Sequence, residues 1–113
     1  MSLAGARNDI EAALSTAPGV KGYAYRPITP RPGDGWPLLS ALDRADGLAF
    51  TATWRVLVLL PQDERAASDW IDAHHEELVD ALLPVGFVDR LEPVVLTAGP
   101  ADQYALQITM RGE

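Results

Sequence analysis

The chain has 113 residues, which is enough for one domain with a single core. Its 16 Asp and Glu residues outnumber 9 Lys and Arg, and the net charge of −7 argues against a protein that grips nucleic acid through clustered basic residues. The absence of cysteine excludes disulfides, thiol nucleophiles and cysteine-based zinc sites. The longest apolar run, residues 56–60, is far shorter than the roughly 20 residues that span a bilayer, so no membrane partner is expected.

The first predicted element is a helix over residues 2–16, capped from Ser2. Its apolar residues recur at helical spacing and predict one buried face. They are Leu3, Ala6, Ile10, Ala13, Leu14 and Ala17. A short strand is expected next, over residues 20–26.

Residues 26–36 form a proline-rich segment, which we call the arm. Prolines at 27, 30, 32 and 37 forbid a helix and favour an extended path, while Gly33 and Gly35 permit a reversal. Long loops in compact domains are often functional, so the arm is either a projecting contact for a neighbouring subunit or a plain surface connection. The candidate interface residues are Arg26, Ile28, Pro30, Arg31 and Trp36, with Arg55 on a later strand.

A β-hairpin is predicted next, with a strand over residues 36–44, a turn at Asp46-Gly47 and a second strand from near Leu48 to Leu60. The second strand alternates, so Trp54, Val56 and Val58 share one face. The opposite face begins polar and becomes apolar at Leu57 and Leu59. This pattern predicts a central strand that is covered on both faces over its second half, with the following helix as the natural cover.

That helix is predicted over residues 63–83, between Pro61 and Pro84. Its expected buried stripe comprises Ala67, Trp70, Ile71, Leu78, Ala81 and Leu82. Its solvent side carries a row of carboxylates, Asp69, Asp72, Glu76 and Asp80. A C-terminal hairpin over residues 88–111 completes the chain, with its turn at 98–101.

These elements predict an α+β fold for residues 1–113 as a single domain. We expect a mixed, mainly antiparallel sheet of four or five strands with two helices packed on one face. The other face of the sheet is then available for partners. Its expected residues are Thr51, Thr53, Arg55, Gln107 and Thr109.

No complete catalytic or cofactor motif is present. His74 and His75 stand before two glutamates, but the residue four after His75 is Val79, so a zinc-protease motif fails. Adjacent histidines on a helix point about 100° apart, and solvated helix surface is the favoured interpretation, with His74 flanking Trp70. The serines lie in no nucleophile elbow. We therefore expect no enzyme, no cofactor and no metal site.

The strand and helix TWRVLVLLPQDERAASDWIDAHHEEL, followed by VGFVDRLEPVVL and YALQITM, resemble the tail terminator proteins of long-tailed bacteriophages, most closely those infecting high-GC Gram-positive hosts. The resemblance covers nearly the whole chain in pattern and order, without an invariant chemical signature. It implies a structural virion protein at the tail neck, made in the host cytoplasm. It also implies a ring of about six copies that caps the tail tube, contacts the major tail tube protein and joins the head–tail connector protein.

Such a ring would let DNA pass without binding it specifically. Repulsion between like charges would keep DNA from binding to the ring, which predicts that several of Asp34, Asp43, Asp46, Asp89, Glu92 and Asp102 line a channel. The plainer interpretation is that these residues are solubilising surface charges.

Two alternative functions stay open at this level. One is another neck or head–tail completion protein. The other is a small α+β dimer that binds a ligand in a pocket between sheet and helices, lined by Trp54, Trp70 and Tyr104.

Overall fold

A computed structural model describes residues 3–44, 49–98 and 101–112. Its elements are α1 (Leu3–Leu14), β1 (Lys21–Gly22), β2 (Asp34–Arg44), β3 (Phe50–Leu59), α2 (Glu64–Leu82), a 3-10 turn (Leu83–Val85), β4 (Phe87–Ala98) and β5 (Ala101–Arg111). The strands form one sheet in the order β1-β2-β3-β5-β4, antiparallel except where β1 meets β2. The predicted α+β fold is confirmed.

The main core lies between the sheet and the two helices, on what we call the helix face. From the sheet it takes alternate residues of β3 and β5, among them Trp54, Val56 and Ile108, and from the helices Leu14 and Leu78. All five are at most 1% exposed. The alternation of β3 and the apolar stripes of both helices therefore predicted correctly which residues form this core, because both periodicities are local properties of the chain.

β3 is central, as predicted, with β2 on one side and β5 on the other. β1 is much shorter than the predicted strand over 20–26, since only Lys21 and Gly22 pair, in parallel, with Asp34 and Gly35. A Cβ at Gly22 would overlap the carbonyl oxygen of Glu11 on α1. This close approach requires glycine and brings β1 against the first helix.

The helix ends differ slightly from the prediction. Within the described residues α1 begins at Leu3, and its predicted cap Ser2 lies outside them. α1 ends at Leu14, where the hydroxyl of Thr16 donates to the carbonyl of Ala13 at 2.6 Å and the chain turns. Asp63 caps α2, because its carboxylate accepts from the backbone N–H of Ala66 at 3.0 Å.

The C-terminal hairpin is present as β4 and β5. The turn predicted at Asp46-Gly47, the strand start near Leu48, and Gly99 and Pro100 of the second turn lie outside the described residues. Within the described part of the chain, no helix is both long and apolar enough to cross a membrane.

Candidate interaction surface

The face of the sheet turned away from the helices, which we call the outer face, is polar over half its length. In the register Thr53 lies beside Arg111, Arg55 beside Thr109, and Glu92 beside Gln107. Paired residues point to the same side of an antiparallel sheet. The predicted exposed face is therefore correctly assigned, and it also includes charged residues of β4.

The other half of the outer face is buried. Trp36 pairs with Leu57, and Leu59 pairs with Ala105, so all four residues share this face, and each is at most 4% exposed. They stand apart from the cluster under the helices. The expectation that α2 covers Leu57 and Leu59 is wrong, because α2 packs on the opposite face.

The arm covers Trp36. The guanidinium carbon of Arg26 lies 5.6 Å from the centre of the Trp36 ring, and its Nη2 lies 3.4 Å from Oε1 of Gln103 on β5. The guanidinium of Arg26 thus contacts side chains of β2 and β5, the two strands on either side of β3. The arm is thus folded against the sheet rather than projecting freely. Trp36, expected at an interface, belongs to β2 and is fully buried.

Both ends of the arm are fixed, but its tip is in solvent. The Asp34 carboxylate accepts from the backbone N–H of Arg31 at 2.9 Å, and the N–H of Gly33 donates to the carbonyl of Leu59 at 2.8 Å. Gly33 has a φ of +94°, which a side chain would disfavour. Between Arg26 and Gly33, Ile28 is fully exposed, the side chain of Arg31 is exposed and Pro30 is half-buried.

Most charges on the outer face are paired. Arg111 donates to both carboxylate oxygens of Asp89 at 3.0 Å. Arg90 lies 3.2 Å from Glu92, which also accepts from Gln107 at 3.0 Å. Arg55 is exposed and makes no hydrogen bond or ion pair with the described residues. Among the described residues, Arg55 and the arm residues Arg26 and Arg31 make no ion pair with a carboxylate.

The carboxylates named for a channel lining that lie within the described residues differ in their surroundings. Asp34 is buried at the start of β2, whereas Asp43 is exposed near its far end. Asp89 and Glu92 are engaged by arginines, and Asp46 lies outside the described residues. That several of these carboxylates line a channel between copies stays a prediction.

The exposed side of α2 is acidic, as the row of carboxylates predicted. Its residues Glu64, Asp69, Asp72, Glu76, Glu77 and Asp80 are all exposed, with Arg65 as the one cation within the helix. His74 stacks on Trp70 with ring centres 4.2 Å apart, as expected, and its Nδ1 lies 2.8 Å from the Trp70 carbonyl oxygen. No group of three or more metal-ligating side chains forms among the described residues.

Two concave regions open on the helix side. A cleft of about 660 Å³ lies between α1 and the turn after α2, and Trp54 is in its wall. A groove of about 520 Å³ runs between α2 and the β4–β5 pair, where Ile71, Val95 and Tyr104 are in its wall. Trp54 lines the cleft, Tyr104 lines the groove and Trp70 lines neither, so these two concave regions do not bring together the three side chains of the predicted ligand site.

The sequence analysis missed the role of Gln62. Its side-chain amide donates to the carbonyl of Tyr104 at 3.1 Å and its Oε1 accepts from the Tyr104 N–H at 2.9 Å. A side chain thereby continues the β3–β5 pairing beyond Pro61, which has no N–H to donate. No periodic signal marks such a residue in the sequence.

No family model and no curated protein sequence matches the chain. The surfaces described above and the resemblance in sequence pattern are therefore what bears on function.

Proposed function

We propose that the protein is a structural subunit of a bacteriophage virion, a tail terminator that forms a ring on the end of the tail tube. The ring caps the tube and presents the surface that joins the head–tail connector protein. The resemblance in order and pattern over nearly the whole chain motivates this proposal.

The observation that carries it is the presence of two unlike exposed surfaces on one small subunit. The polar outer face holds the unneutralised cations Arg26 and Arg55, whereas α2 exposes six carboxylates and one arginine. When one surface of a copy binds a different surface of the next, the contact is head-to-tail and can repeat. It closes into a ring when the rotation between successive copies adds up to a full turn. A dimer would instead use one self-complementary patch.

The tail tube protein and the connector protein are the proposed partners on the two ends of the ring, and DNA passes through without specific binding. The net charge of −7 is consistent with a passage to which a polyanion does not adhere. We place the protein in the tail neck of the virion, after synthesis in the host cytoplasm.

No observation favours the alternative of a ligand-binding dimer or an enzyme. The three aromatic side chains expected to form one pocket are dispersed, and a binding pocket needs apolar walls with a few convergent polar groups. Asp9 is the one titratable side chain in the wall of the larger cleft within the described residues. We therefore propose that the protein catalyses no reaction.

Sedimentation velocity over a wide concentration range, with negative-stain images of the largest species, tests the proposal. We expect closed rings of about six copies, either alone or on added tail tubes. Tubes polymerised with the protein present should stop at a capped end. A stable dimer that never grows, together with tubes that elongate unchanged, would contradict the proposal.

A further inference from the structure

We propose that the outer face of one copy docks on the α2 side of the next copy, with Ile28 seated in the groove between α2 and the β4–β5 pair and Arg55 facing the carboxylates of α2. This inference rests on the proposed function and names the two surfaces through which the ring would form.

The tip of the arm is one half of the contact. Ile28 is 103% exposed although the arm is anchored on both sides of it, by Arg26 to Gln103 and by Arg31 to Asp34. Flanking prolines at 27 and 30 restrict the backbone further. A branched apolar side chain held in solvent on a restricted loop loses little conformational entropy when it is buried by a partner.

The groove beside α2 is the other half. Its walls are mainly apolar, with Ile71 on the helix, Val95 on β4 and Tyr104 on β5. Val95 and Tyr104 are 55% and 41% exposed, so the groove offers apolar area that the subunit itself does not cover. Ser68 and Glu64 form its rim on α2 and bring the acidic side of the helix next to the apolar wall.

Charge complementarity selects a second copy as the occupant. The cations left unneutralised on the outer face meet, in this arrangement, the six exposed carboxylates of α2. Opposite potentials across an interface favour the correct partner and orientation, whereas two α2 surfaces would repel each other. The contact is therefore head-to-tail rather than two-fold.

The proposed arrangement aligns β3 of one copy with α2 of the next. Arg55 lies four residues before Leu59, about 13 Å along the strand. On α2 the rim residue Ser68 and Glu76 are eight residues apart, about 12 Å along the helix. With the Leu59 end of β3 at the level of Ser68, the proposal places Arg55 at the level of Glu76.

The absence of cysteine permits a direct test by disulfide trapping. Ile28→Cys protein is mixed with Ser68→Cys protein under mild oxidation at high concentration, and products are separated without reductant. We expect cross-linked dimers at least about tenfold in excess of those formed by either variant alone, as a head-to-tail contact requires. The control replaces Ser68→Cys by Ala12→Cys, an exposed position on α1, and should give no excess.

A charge reversal tests the polar half. Arg55→Glu should reduce cross-linking and self-association about tenfold or more, because it puts a carboxylate opposite α2. The double variant Arg55→Glu, Glu76→Arg should recover them. Arg65→Glu changes the net charge equally but adds to the acidic surface, so it should leave association intact.

The outcomes separate this inference from the proposed function. Rings that form without any excess of Ile28–Ser68 cross-links would overturn the docking arrangement and leave the ring proposal standing. A chain carrying both cysteines that stops at a dimer would contradict the ring. Absence of both rings and cross-links, with and without tail tubes, would overturn both.

Discussion

Arg26 and Gln103 are 77 positions apart in the chain, yet their side chains meet at 3.4 Å across the outer face of the sheet. The contact holds the arm over Trp36, which is buried, like its neighbours Leu57 and Leu59, without being part of the core under the helices. One small domain therefore has two apolar layers, one on each face of β3. The second layer depends on an irregular segment rather than on a helix.

Replacing Arg26 by Ala should loosen the arm and admit water to the Trp36 ring. The loss of an exposed hydrogen bond and a cation–π contact should lower the free energy of unfolding by about 0.5–1.5 kcal/mol. Acrylamide quenching of tryptophan fluorescence and hydrogen exchange of residues 26–33 would measure the change. Arg26→Lys keeps the charge but not the planar group, so it should give an intermediate effect. Unaltered quenching in Arg26→Ala would show that the arm is held by other contacts.

The buried indole N–H of Trp36 has no hydrogen-bond partner among the described residues. An unsatisfied buried donor costs about 1–3 kcal/mol of stability. Trp36→Phe removes this donor, so it should leave the free energy of unfolding nearly unchanged despite the smaller ring. Trp36→Ala should lower the free energy of unfolding by about 3–5 kcal/mol, because it leaves a cavity. Urea denaturation of the three proteins would compare them. A large loss of stability in Trp36→Phe would indicate that a water molecule accepts a hydrogen bond from the indole N–H.

Gly22→Ala should destabilise the fold, because the new methyl group would overlap the carbonyl oxygen of Glu11 and lie 2.9 Å from the Cβ of Leu14. The expected cost is about 1–3 kcal/mol, the usual range for overpacking. Thermal unfolding would report it. Exposed Ala12 offers the control: Ala12→Gly should cost only about 1 kcal/mol, through helix propensity.

Asp63→Ala should weaken the start of α2. The carboxylate that accepts from the N–H of Ala66 is lost, which typically costs about 1 kcal/mol. Asp63→Ser preserves a capping oxygen and should retain most of the stability. Chemical denaturation followed by circular dichroism would distinguish the pair, and equal stability of Asp63→Ala and the parent would mean that the cap contributes nothing measurable.

The sequence by itself determined the helices, the long strands and the residues of the main core. The alternation in β3 and the spacing in α2 are local signals, and each identifies a buried face without reference to the rest of the chain. The acidic side of α2 and the polar half of the outer face followed from the same patterns. The failure of the predicted strand over 20–26 shows the limit, since pairing there stops after Gly22 where the chain turns over the sheet.

Only the tertiary structure decided where the arm lies and what it covers. Proline and glycine predicted an irregular path, but its direction depends on contacts such as Arg26 with Gln103 that join distant parts of the chain. The same holds for Trp36, whose burial follows from its register with Leu57, and for the groove beside α2, which needs β4 and β5 in place. Side chains from separate elements form these features, and no local periodicity records which elements will meet.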